Sequence, residues 1–99
     1  MIRTAEEFKI LQEFYLLEEV EQKTVIWIQK ELERIAKEQR RLYLSLSFKN
    51  TAEFATLTNN IRPLEGYIDM NMVNVAEFLK KLKFRVKLDT YKKVLEVGV

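Results

Sequence analysis

An α+β fold is predicted for this chain, and three observations carry the prediction. Residues 5–41 contain no Gly, Pro, Asn or Ser and are dominated by Glu, Lys, Gln, Leu, Ile and Ala, most of them good helix formers. Leu42-Tyr43-Leu44-Ser45-Leu46-Ser47-Phe48 then switches to period two, with Leu42, Leu44, Leu46 and Phe48 on one face. Near the end, Phe84-Arg85-Val86-Lys87-Leu88 and Val94-Leu95-Glu96-Val97 flank a short polar run, the pattern of a hairpin. The 99 residues fit a single domain, with a helical region over 1–41 and an α/β region over 42–99. The expected architecture is an N-terminal helical region, one long helix or two, on a small mostly antiparallel sheet. Two short helices and the C-terminal β-hairpin complete it.

Thr4 with Glu7 fits a capping box, in which hydroxyl and carboxylate each satisfy a helix N–H that lacks an intrahelical partner. Ile28, Leu32, Ile35 and Leu42 follow at spacings of one helical face, and Lys30, Arg34, Lys37 and Arg41 recur on nearly the opposite one. The apolar phase breaks between Glu18 and Lys23. One helix from 5 to 41 would be about 55 Å long, against an expected radius of gyration of about 13 Å. Two helices separated by a bend or short break near 18–24 are therefore preferred. Residues 8–17 are apolar nearly all round a helix, which calls for packing inside the domain or against another chain.

Asn50 with Glu53 signals a helix over about 51–60 with Phe54, Leu57 and Ile61 inward. The 62–66 run, with Pro63 and Gly66, reads as a turn. Tyr67 to Met72 alternates and is expected as a short strand, and Asn74 with Glu77 as the start of a helix over 75–82. For the last residues a helix from Asp89 is the rival to the hairpin. The echo of Asn50-Thr51-Ala52-Glu53-Phe54 in Asn74-Val75-Ala76-Glu77-Phe78 needs no more than two similar capped helix starts.

Composition excludes much chemistry. The chain has no Cys and no His, so thiolate nucleophiles, disulfides, Cys-ligated zinc and imidazole general bases are all absent. Ser45 and Ser47 are the two serines, and no imidazole exists to activate them. Asp69, Glu65 and Glu53 carry no metal-ligand spacing, and Gly66 and Gly98 build no phosphate loop. The expectation is a non-enzyme without cofactor or metal. No apolar run approaches the roughly 18 residues of a membrane span, and Glu6 and Glu7 stand where a secretory leader stays apolar. A cytoplasmic protein with no membrane partner is expected.

Charge is unevenly spread. Residues 1–33 carry four basic and eight acidic side chains, and residues 34–99 carry thirteen and seven. The candidate binding residues are Lys30, Arg34, Lys37 and Arg41 on the helix, with Arg85 and Lys87 on a strand and Lys92 and Lys93 at its turn. They would suit an acidic protein or the phosphates of a nucleic acid. Phe8, Leu11, Phe14 and Tyr15 are the candidate self-association set, pointing to a homodimer. Trp27 is expected in the core.

Ile35-Ala36-Lys37-Glu38-Gln39 followed by Leu44-Ser45-Leu46-Ser47-Phe48, with the later 78–86 stretch and Val94-Leu95-Glu96-Val97, resembles the layout of small phage and prophage accessory proteins from low-GC Gram-positive hosts. The resemblance implies a virion part, a regulator, or an inhibitor of a host system, anti-CRISPR proteins being one such class. It carries over no site residue. The expected function is an interaction protein that binds and blocks a macromolecular partner of the host. The alternatives are a small basic nucleic-acid-binding protein and a structural virion or assembly subunit.

Overall fold

The computed structural model describes residues 2–60 and 68–99. The order of elements is α1 (Ala5–Leu16), α2 (Glu19–Gln39), β1 (Tyr43–Ser47), α3 (Thr51–Leu57), α4 (Ile68–Lys81), β2 (Arg85–Asp89) and β3 (Val94–Gly98). The predicted α+β architecture is the observed one, and the last two strands form the hairpin rather than a helix. The three strands order as β1-β3-β2, antiparallel throughout.

The helical region is two helices. Thr4 caps α1 by accepting from the Glu7 N–H at 3.1 Å. The chain then turns extended at Leu17 and Glu18, with ψ near 153° and 159°, just ahead of the expected bend. Glu18 N–H donates to Glu21 Oε1 at 3.0 Å, and Gln22 Nε2 donates to the Leu17 carbonyl at 2.9 Å, so the break satisfies its own backbone groups. At about 32 Å, α2 fits a chain with a radius of gyration of 13.6 Å.

The core lies between the α2–α4 layer and one face of the sheet. Val25, Ile28, Leu32 and Ile35 come from α2, and Met72, Val75, Phe78 and Leu79 from α4. Leu44, Leu46, Leu95 and Val97 come from the inner sheet face, while Phe48 and Phe54 close one end with rings 6.4 Å apart. Trp27 packs against this cluster and is partly buried.

Four expectations are corrected. Leu42 lies beyond α2 and is exposed, because the helix ends at Gln39 with Arg40 in the left-handed region. Ile68 to Met72 is helical, since Met72, Val75 and Leu79 supply a helical face that outweighs the short alternation. Asn74 is therefore inside α4 and caps nothing. Leu57 is exposed, and Thr58 takes the inward place, its hydroxyl donating to the Phe54 carbonyl at 2.8 Å. Ile61, the 62–66 turn and Tyr67 lie outside the described residues.

Candidate interaction surfaces

Two surfaces, one on α1 and one on the sheet, bring the candidate residues together or separate them. On the helical side, α1 has no buried residue. Ile10, Phe14 and Leu17 turn inward and pack on the core, the Phe14 ring standing 5.9 Å from Phe78. Phe8 and Tyr15 turn outward, at 57% and 66% exposure, with Leu11 between them at spacings of three and four. Leu16 adds to this side at 80% exposure. From Phe8 to Tyr15 the stripe runs about 10 Å along the helix. Beside it an open groove of about 440 Å³ lies between α1 and α2, lined by Ile10, Leu11, Phe14, Val25, Ile26 and Phe78 among others. The structure thus divides the candidate self-association set: Phe14 packs inside the chain, Phe8 and Tyr15 face outward, and Leu11 is half-buried at the rim of the groove.

A buried polar network fixes where α1 leaves α2. Glu21 is 2% exposed, and its Oε2 accepts from Asn71 Nδ2 at 2.9 Å and Asn74 Nδ2 at 2.8 Å. Asn71 Nδ2 also donates to Glu18 Oε2 at 3.0 Å. Both carboxylates sit at the N-terminus of α2, where the helix dipole favours negative charge. Pairing at opposite ends of the sequence was invisible in it, because Glu18, Glu21, Asn71 and Asn74 each read as capping or surface residues.

The basic helical stripe does not survive as a field of free charge. Arg34 donates to Glu31 and, at 2.7 Å, to Glu38. Those hydrogen bonds, Glu31 first, hold its guanidinium above its ordinary pKa. Lys37 pairs with Glu33 at 3.2 Å. Residues 30–38 therefore carry Lys30, Arg34 and Lys37 against Glu31, Glu33 and Glu38, with no net charge. Arg41 lies past the end of the helix and is exposed.

Positive charge without partners collects instead on the outer face of the sheet and at one end of it. Register places Tyr43, Gly98 and Arg85 in one row and Ser45, Glu96 and Lys87 in the next. All six are on the face away from the helices, and Tyr43, Arg85 and Lys87 are exposed. The neighbouring Glu96 carboxylate favours the neutral phenol of Tyr43 and raises its pKa above the ordinary tyrosine value. Arg40, Arg41 and Lys83 flank the same end, at the termini of α2 and α4. Among the described residues, no ion pair includes Arg40, Arg41, Lys83, Arg85 or Lys87. At the other end of the hairpin Lys93 pairs with Asp69, whereas Lys92 and Tyr91 are exposed at the tip. The wet face of β1 was legible from its alternation; that Gly98 joins it to Arg85 depends on strand order, which no local pattern encodes.

Among the described residues, no group of three or more carboxylates stands close enough to hold a metal ion, and no helix is long and apolar enough to cross a membrane. No known protein family, curated protein or solved structure matches the chain.

Proposed function

We propose that this protein is a non-enzymatic interaction protein of the cytoplasm that binds another protein through the outward face of α1. One observation carries the reading: a twelve-residue helix with no buried residue presents Phe8, Tyr15 and Leu16 to solvent, with the half-buried Leu11 beside them at the edge of the groove. A single exposed leucine is ordinary, but a contiguous apolar seam with an adjoining groove is what protein interfaces are made from. Tyr and Phe are enriched at the centre of such interfaces. Amphipathic helices are commonly recognised through residues at spacings of three, four and seven. If the layout resemblance to phage accessory proteins holds, the partner is a host protein and binding blocks it. A second copy of the chain is the other occupant. An antiparallel α1 pair would set Phe8 against Tyr15 of the second copy.

The test compares complexes recovered by the wild-type chain and by a Phe8→Glu/Tyr15→Glu variant from the cells that produce it. Both side chains are exposed, so the variant is expected to keep the wild-type circular dichroism and melting temperature. Loss of a stoichiometric partner in the variant alone supports the reading. Identical complexes from both proteins refute it. Light scattering of the purified chain then separates a homodimer from a monomer of 11.9 kDa.

A further inference from the structure

We propose that the outer sheet face, at the end where Tyr43, Gly98 and Arg85 share a row, is a binding site for single-stranded nucleic acid. This is a second surface, independent of the α1 face. Arg40, Arg41, Lys83, Arg85 and Lys87 contact phosphates, and the Tyr43 ring stacks on a base.

Charge is the first argument. The five cations are exposed and, among the described residues, in no ion pair; they outnumber the two acids of that face, Glu96 opposite Lys87 and Asp89 further along β2. A polyanion is the complementary partner. Arg85 and Lys87 line, with Tyr43, Glu96 and Gly98, an open trough of about 390 Å³.

The second argument is which residues stand where. Gly98 lies in the central strand, paired on both sides, and its backbone is not in the left-handed region. A Cβ there would meet Leu42 O at 3.7 Å, Tyr43 Cδ2 at 3.8 Å and Arg85 Cβ at 4.0 Å, all ordinary contacts. Neither conformation nor space demands glycine. A glycine in a strand weakens it and often marks close approach of a ligand. Adjacent strands are about 4.8 Å apart, so Tyr43 and Arg85 flank this bare spot about 10 Å from each other. A flat base can then lie against the phenol while its phosphate reaches the guanidinium.

Arg40 and Lys83 show the converse. Their φ angles are 53° and 73°, where glycine is the least strained residue, yet each position holds a cation. Side chains are missing where one would fit and charged where none is the easier choice. Lys93, at the other end of the hairpin, also holds a cation at positive φ, 59°, but Asp69 pairs with it, whereas Arg40 and Lys83 fall at the Gly98 end and enter no ion pair among the described residues. The exposed aromatic ring decides between strands and duplex, because stacking on a side chain requires an unpaired base.

The experiment is fluorescence anisotropy of labelled oligothymidylate and oligouridylate of about 15 nucleotides, at about 50 and about 150 mM salt. A duplex of the same length and polyglutamate are run beside them. Single strands should bind, weakening about 50-fold across that salt range if each of the five cations contacts one phosphate, since each contributes a log–log slope of about −0.7. Arg85→Ala/Lys87→Ala should lower both affinity and slope. Tyr43→Leu should lower affinity and leave the slope unchanged. Arg40→Gly and Lys83→Gly should each reduce the slope by about 0.7 while the melting temperature holds or rises. That combination separates a binding role from a structural one. Lys9→Ala, on α1, should change nothing. Absence of single-strand binding at the lower salt overturns the proposal. So does equal or tighter binding of duplex or polyglutamate, or Tyr43→Leu binding like the wild type.

Discussion

Glu21 offers the sharpest test of how the helical side is held together. Its carboxylate accepts from the Glu18 N–H at 3.0 Å and from Asn71 and Asn74 at 2.9 and 2.8 Å, inside a site that leaves the residue 2% exposed. Hydrogen bonds to a charged group contribute about 1.5–3 kcal/mol each, and neutral ones about 0.5–1.5. Glu21→Gln keeps the shape but turns charge-assisted bonds into neutral ones and sets an NH2 against at least one donor. Rotation of the exposed Asn74 amide recovers part of the loss, leaving a destabilisation of about 1–2 kcal/mol. Glu21→Ala loses all three bonds and leaves a small void; with Glu18 and Asn74 able to turn to water, it should cost about 3 kcal/mol. For a domain of this size each kcal/mol lowers the melting temperature by about 4–8 °C. Urea unfolding followed by far-UV circular dichroism measures both. The opposing effect is the cost of keeping a carboxylate from water, which Gln relieves. A Gln variant as stable as the wild type, or more so, would show that this cost outweighs the three donors and the helix dipole together, contrary to the account given above.

Three further outcomes follow from the geometry. Phe14→Ala, which removes the ring facing Phe78, should raise amide exchange throughout α1 while α2 and α4 stay protected; uniform protection would mean that α1 docks by other contacts. Tyr43 should titrate above the ordinary tyrosine range because the neighbouring Glu96 carboxylate favours its neutral form. Its contribution to stability is then present below that range and lost as pH rises through the raised value. Phenolate absorbance should show Glu96→Gln moving it back. Asp89 has its pKa lowered, chiefly by the Lys92 N–H at 2.9 Å and then by the Tyr91 N–H at 3.0 Å. Its contribution is present above the ordinary aspartate value and lost as pH falls through the lowered one. Asp89→Asn should speed exchange at those two amides at neutral pH, and unchanged rates would remove the carboxylate from the turn.

Residues with a strong local signal were legible from the sequence. The Thr4 and Asn50 caps, the β1 alternation and the C-terminal hairpin each depend on neighbours within a few positions, and each is observed. The break before α2 was placed a little late because Glu18 is an unusual cap, and the signal that fixes it, Glu21 with Asn71 and Asn74, spans some fifty positions. Ile68 to Met72 misled because five residues alternate by chance more easily than a fourteen-residue helix keeps its face. Of the candidate self-association residues, Phe8 and Tyr15 are exposed, Leu11 is half-buried, and Phe14 is on the inward side. The charged residues needed most revision. Spacing put Lys30, Arg34, Lys37 and Arg41 on one face, but the interleaved Glu31, Glu33 and Glu38 neutralise it. Arg40 and Lys83 gain their place from helix ends and strand order, neither of which is written in their own neighbourhoods.

The central claim is that the outward face of α1 is covered by a protein in the cell. A photo-cross-linking amino acid at position 8, with one at position 49 as an exposed control, tests it most directly. A discrete protein adduct from position 8, absent from position 49, is the expected result, and its mass tells a second copy from a different partner. No adduct from position 8, or the same adducts from both positions, contradicts the claim.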